Sequence, residues 1–435
     1  MNDYLRVALI GVATGTLGFA HAIAQQVAPA GPLAGPGATA TDPGAQLSVP
    51  VPTIFTSKIG FMTMEQVPGA MYPRVIQLKY YAAAKGQLLA TFSQRAPSLP
   101  IYRSTDDGDT WQKISEIAML RGQPTLFELP VKMGEFPAGT ILAAGNGLSS
   151  SDPSKRTLDV VYSANGGKSW AYLSTIAVGG IGRYDPADRA GLLREQDPVF
   201  EPYLYMDSTG HLVVYFSDER DKKNGYSQLL DHEVSADGGR SWGPLVYDAA
   251  IPDGLTRPGM SIVTRDGHGK FYMTYEEVSM PGYALEPRTN STHFRTSDDG
   301  DNWGDPASFG TLIQDRWRQF PNGTPFIVWS AWGGSNGTLL VSGRSVVRDD
   351  IGRVGNGMFI NRNGAEGLWT LIETPIVYNI DNDGYSQSMI PLGDGQEILQ
   401  LVTVNNRVEY AKFKLPEELP TYGFPWDKGP ATGPR

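Results

Sequence analysis

Short runs of apolar residues alternating with polar ones fill this chain, and most are closed by a turn rich in Gly, Asp or Asn. Successive side chains of a strand point to opposite faces, so such runs predict half-buried strands. Val75–Tyr81 and Leu88–Phe92 form the first pair, separated by Lys85 and Gly86. The same grammar returns in Tyr203–Met206 with His211–Phe216 and in Ser261–Thr264 with Lys270–Tyr275. It returns again in Phe326–Trp329 with Thr338–Val341 and in Ser388–Leu392 with Glu397–Val402. Helical periodicity is scarce. Short strands with such turns at regular intervals predict an all-β repeat fold.

A second pattern sets the repeat length. Ser104–Trp111, Ser163–Trp170, Ser235–Trp242 and Thr296–Trp303 all read Ser/Thr-x-Asp/Asn-x-Gly-x-Ser/Thr/Asn-Trp, at spacings of 59, 72 and 61 residues. Asp or Asn can hydrogen-bond the backbone two residues on and close a tight turn, and Gly takes a backbone angle other residues resist. The Trp opens the next strand and can wedge between sheets. An eroded copy lies at Asn361–Trp369, one residue longer and without the Ser. These segments resemble the Asp-boxes (bacterial neuraminidase repeats) of sialidases and related propeller glycosidases. The resemblance and the spacing together predict a six-bladed β-propeller of four-stranded antiparallel blades, sialidase-like, over residues 53–416.

Outside that domain the composition changes. Residues 1–24 have a short basic start, an apolar run from Val7 to Ala20 and a small-x-small signal near Ala24. They are expected to be a signal peptide, and the mature chain to be secreted, extracellular or periplasmic. Residues 25–52 are an Ala/Pro/Gly-rich linker and 417–435 a tail. The absence of cysteine leaves stability to core burial and strand pairing. The formal net charge of −10 disfavours nucleic acid as a partner and raises no objection to a neutral sugar. No membrane association is expected, and a monomer is.

No cofactor or metal is expected. Asn379–Gly384 has the look of a calcium loop but carries Ile390 where a bidentate Glu would be required, so it is expected to be a turn. The histidines after the leader (His211, His232, His268 and His293) lack zinc spacing. No nucleotide-binding Gly loop or Gly-x-Ser-x-Gly elbow occurs.

Inner strands of a propeller end at its central channel, which directs attention to four segments: Met71–Val75, Asp197–Tyr205, Phe271–Glu277 and Gly384–Ser388. Two carboxylates from different blades are the equipment for glycosidic cleavage, one protonating the leaving oxygen, the other attacking the anomeric carbon or activating water. Phe200–Tyr205, Tyr215–Arg220, Arg257–Met260, Met273–Glu276 and Gly384–Ser386 resemble glycoside hydrolase family 93, the exo-1,5-α-L-arabinanases. That resemblance implies retention, release of a short unit from an oligo- or polysaccharide chain end, and no metal. It implies Glu201 as acid/base, Glu276 as nucleophile, Tyr385 bonded to the nucleophile, and Arg74, Arg220, Arg257 and Asp218 at the sugar site. Glu277 follows Glu276, and alternation lets only one of them face the pocket. Two other readings stay open. One is a sialidase using Tyr385 as nucleophile with an arginine clamp on the substrate carboxylate. The other is a propeller that binds sugar without cleaving it.

Overall fold

The computed structural model describes residues 59–63, 65–148, 156–180, 198–278, 290–348 and 352–419. The expected signal peptide, the linker and residues 420–435 of the tail lie outside them. Six antiparallel sheets account for nearly all strands. Blade 1 is built from Met71–Gln77, Leu88–Ser93, Leu99–Ser104 and Gln112–Ile117. Blade 2 runs Leu120–Glu128, Ile141–Gly147, Thr157–Ser163 and Ala171–Val178. Blade 3 runs Val199–Met206, Leu212–Asp218, Leu229–Ser235 and Val246–Ala249. Blade 4 begins with Arg257–Arg265, Phe271–Val278 and Asn290–Ser297, and its sheet extends through Phe320–Asn322, Ser345–Arg348 and Gly352–Val354. Blade 5 holds Phe326–Ser330, Thr338–Ser342, Gly357–Asn361 and Thr370–Glu373. Blade 6 holds Ser388–Leu392, Glu397–Val404 and Arg407–Lys414, and its fourth strand is Gly60–Phe61 from the other end of the chain.

First strands touch one another in sequence around the ring, and that of blade 6 touches that of blade 1, so the ring closes. The core is accordingly divided into layers between blades. One layer joins Leu89, Leu99 and Ile101 of blade 1 to Leu126, Ile141 and Val161 of blade 2. Another joins Tyr215 and Leu230 of blade 3 to Val263, Phe271 and Tyr275 of blade 4. Fully burying such a side chain contributes roughly 1.5–3 kcal/mol, which replaces the disulfides this chain cannot form.

The repeated turns join the third strand to the fourth and tie adjacent blades. In the first three, the Ser hydroxyl accepts the Gly amide at 2.8 Å and donates to the Asp or Asn at 2.7–2.9 Å. The carboxylate or carboxamide accepts the amide four residues on, and in the second and third turns also the one three residues on, not the one two residues on that the sequence suggests. In the fourth turn the working residues are Ser297 and Asp299, one position later than the sequence register places them, and the loop is a residue shorter. In the eroded copy the Asn361 carbonyl does the work of the missing Ser, accepting from Asn363 at 2.7 Å and Ala365 at 3.1 Å. Two of the indoles reach back to the preceding blade, Trp170 donating to Ser115 at 3.3 Å and Trp242 to Ser174 at 3.0 Å, whereas Trp111 donates to Gly108 of its own turn at 3.1 Å. Those serines in turn donate to the carbonyls of Gly167 and Gly239 at 2.5 Å.

One strand boundary departs from expectation. The first strand of blade 1 is Met71–Gln77 rather than Val75–Tyr81. Glu128 of blade 2 takes the amides of Lys79, Tyr80 and Tyr81 at 2.6, 3.1 and 2.7 Å, which turns that segment out of the ladder.

Candidate active site

Six non-glycine residues, one in each blade at or just before its first strand, have positive φ: Tyr72, Gln123, Glu201, Met260, Thr324 and Ser386, at 52, 51, 62, 58, 45 and 53°. An L-residue resists this left-handed region, and holding it there costs on the order of 1–3 kcal/mol. In blades 1 to 4 the pairing with the second strand slips at this point, as at a β-bulge. Three of the six side chains converge from three blades. Tyr72 donates to Glu201 Oε1 at 2.7 Å, and Gln123 Nε2 lies 3.1 Å from the Tyr72 hydroxyl and 3.4 Å from the same carboxylate oxygen.

A second recurring position faces the bulge. Ser93, Asn146, Ser217 and Glu276 each pair with the residue before the left-handed one in their own blade. Ser93 and Ser217 accept the amides of Gln123 and Met260 in the next blade at 2.8 and 3.2 Å. Glu276 does the same for Thr324 at 2.6 Å. The two glutamates thus stand at repeated positions of the fold: Glu201 at the left-handed position of blade 3, Glu276 where blades 1 and 3 place a serine and blade 2 an asparagine.

Their environments differ. Burial raises the Glu201 carboxyl from 4.5 to about 7, and the charge of Glu276 adds to the rise; Tyr72, Ser217 and Arg74 oppose it. Ser217 donates to its Oε2 at 3.1 Å. Burial also raises Glu276, but the Thr324 amide, the Arg257 and Arg344 guanidiniums and Asn290 all favour its ionised form. Glu277 points away from Glu276. It is buried, neither of its oxygens finds a hydrogen-bond partner, and burial pushes it up to about 8.

Tyr385 is buried with its ring edge-on to Tyr72, centroids 5.2 Å apart, and the Arg344 guanidinium 5.5 Å from its own centroid. Burial raises its hydroxyl well above the ordinary range, followed by the charges of Glu201 and Glu276; a hydrogen bond with Tyr72 opposes them. Arg74 is buried and committed: it donates to the Pro73 carbonyl at 2.8 Å, the Ser386 carbonyl at 3.1 Å and Ser386 Oγ at 2.9 Å. Arg257 donates to Glu219 at 2.6 Å and Gln228 at 2.5 Å. Arg220 grips Asp218 through Nε and Nη2 at 2.8 and 2.6 Å, so these two hold each other. Arg344 donates to the carbonyls of Asp383 and Asp381 at 3.2 and 3.0 Å. Asn379–Gly384 is a hydrogen-bonded turn, with Asp381 and Asp383 amides on Asn379. Among the described residues no three His, Asp or Glu side chains converge in a way that would hold a metal ion.

The residues that sequence reasoning passed over are Tyr72, Gln123, Ser217 and Thr324. A signal for three of them was present. Tyr72, Gln123 and Thr324 each precede a proline, as Glu201 does. Proline cannot donate to a ladder and so marks the bulge.

No protein-family model and no curated protein matches the chain. Among solved structures, an α-L-arabinanase of Penicillium chrysogenum complexed with arabinobiose is 31% identical over 83% of this chain and 99% of its own, with a TM-score of 0.69. A GH93 α-L-arabinofuranosidase of Fusarium graminearum, also complexed with arabinobiose, is 26% identical over 83% and 98%, with a TM-score of 0.67. The Hadza microbial sialidase Hz136, at 16% identity over 80% of this chain and 66% of its own and a TM-score of 0.50, shares the fold.

Proposed function

Since the chain belongs to glycoside hydrolase family 93 and is a glycosidase, we propose that it is a retaining, exo-acting hydrolase of α-linked arabinan-type sugars, with Glu201 as acid/base and Glu276 as nucleophile. The observation that carries this assignment is the asymmetry between the two carboxyls. Glu201 rises to about 7 in a buried site, whereas Glu276 keeps an amide and two guanidiniums that favour its charge. Two carboxyls whose environments separate their protonation states divide the acid and nucleophile roles.

In the first step Glu276 attacks the anomeric carbon, the bond to the leaving oxygen breaks, and the Glu201 proton passes to that oxygen. In the second, Glu201 removes a proton from water as the water attacks the same carbon, and Glu276 leaves with its electron pair. Each carboxyl ends as it began.

The arginines support a neutral substrate. Clamping a carboxylate needs free guanidinium forks, and the fork of Arg220 is taken by Asp218 while both terminal nitrogens of Arg74 donate to Pro73 and Ser386. Residues 1–24 support a further proposal, that the mature chain is exported; that it acts as a monomer is proposed separately. N-terminal sequencing of the secreted product and light scattering test those two points.

Turnover of linear α-1,5-arabinan, followed by proton NMR of the first product, tests the main reading. A short oligosaccharide released with its anomeric configuration retained is expected. An inverted first product, or cleavage of sialosides in place of arabinan, refutes it.

A further inference from the structure

Tyr72 occupies the left-handed position of blade 1, the place that Glu201 occupies in blade 3. Its φ of 52° interrupts the first strand, its ring is buried against Tyr385, and it precedes Pro73. Its hydroxyl has one proton and three polar neighbours, Gln123, Glu201 and the Tyr385 hydroxyl, of which the Glu201 carboxylate at 2.7 Å is the charged acceptor. Gln123 Nε2 can only donate, so the hydroxyl accepts from it at 3.1 Å and turns its own proton to Glu201 Oε1 at 2.7 Å. Gln123 is fixed in turn, because its Oε1 accepts from Asn146 Nδ2 at 2.8 Å. The line Asn146, Gln123, Tyr72, Glu201 therefore runs one way through three blades. On the other side, Ser217 Oγ accepts the Met260 amide at 3.2 Å and donates to Glu201 Oε2 at 3.1 Å, a longer contact than the 2.7 Å from Tyr72 to Oε1 and one from a hydroxyl free to rotate.

We infer that Tyr72 is a positioning residue for Glu201: it reserves Oε1 as an acceptor, so that the transferable proton resides on Oε2. This rests on the assignment of Glu201 as the acid/base. A donor aimed at Oε1 stabilises the carboxylate more than the acid, so it also keeps Glu201 from being too weak an acid to release its proton to a leaving alkoxide. The same bond assists the second step, when Glu201 starts as a carboxylate.

The test is Tyr72→Phe, which keeps the ring and deletes the donor, with Asn146→Ala as a second variant at the far end of the line. Two readouts are taken. Infrared titration follows the carboxyl band that Glu201→Gln removes, and needs no substrate. The basic limb of kcat/KM on an aryl α-L-arabinofuranoside follows the same group in turnover. A lost bond to a charged acceptor corresponds to an upward shift of about one to two pH units in Tyr72→Phe, with KM little changed, and a smaller shift in the same direction in Asn146→Ala. An infrared band that titrates unchanged in both variants overturns the inference. A band that shifts in a protein lacking glycosidase activity upholds the positioning role while the proposed function fails.

Discussion

Replacing Glu201 by Gln removes the transferable proton while keeping the shape of the side chain. With the carboxyl raised from 4.5 to about 7, the wild-type enzyme loses its protonated acid above neutrality. Near pH 9 only ~1% of Glu201 retains its proton, so kcat/KM falls roughly 100-fold from its plateau. The lower limb reports Glu276, which must ionise to attack and which burial also raises. The profile is therefore a bell whose basic side belongs to Glu201. In Glu201→Gln the basic side disappears, and kcat/KM on arabinan drops by about 10²–10⁴. An aryl arabinofuranoside with a nitrophenolate leaving group needs no proton, so its first step survives. Its second step lacks a base, and turnover shows a burst of nitrophenolate followed by a slow phase. The assay is stopped-flow absorbance across pH 4–10, backed by isothermal titration with arabinobiose to show that binding persists. A basic limb that remains in Glu201→Gln, or one that lies above pH 9 in the wild type, refutes the assignment.

Three further outcomes follow from the same structure. Glu277→Gln is expected to keep turnover, because that side chain points away from Glu276; its stability against urea should gain at high pH. The sign is set by its folded-state value of about 8 against an ordinary 4.5: the wild type loses stability as pH rises from about 4.5 through about 8, and the amide removes that slope. Arg220→Met leaves the nearly buried Asp218 carboxylate without its partner, which costs roughly 1–3 kcal/mol in thermal or denaturant unfolding; KM for arabinan should hold, and a tenfold rise in KM at unchanged stability would return Arg220 to the sugar site. Ser174→Ala cuts the link from Trp242 to the Gly239 carbonyl across two blades; a loss of about 1–3 kcal/mol is expected, and no change in denaturation midpoint would contradict the role of these turns as inter-blade ties.

The architecture was legible because it is repeated. Alternating runs and the Trp-terminated turns fix blades 1 to 4, and the Asn361 copy marks blade 5 although its Ser is gone. What was not legible is register at the turns and at the channel. Thr296-Ser297-Asp298-Asp299 offers two Ser/Thr–Asp pairs at the same spacing, and only local hydrogen bonding selects Ser297 with Asp299. The Tyr72 neighbourhood was hidden for a different reason. Its partners Gln123 and Glu201 are 51 and 129 residues away in sequence, and no local pattern links them except the proline that follows each. Arg220 was ambiguous because an arginine beside a pocket-lining strand has the same sequence appearance whether it holds a sugar or the carboxylate two residues before it, and the structure shows the second of these contacts.

The division of labour between the two glutamates is tested most directly by locating the covalent intermediate. Glu201→Gln, quenched in acid during the burst with a nitrophenyl α-L-arabinofuranoside and digested, should carry one arabinosyl group on the peptide containing Glu276. A label on Tyr385, on any other residue, or no label despite a burst would contradict the account.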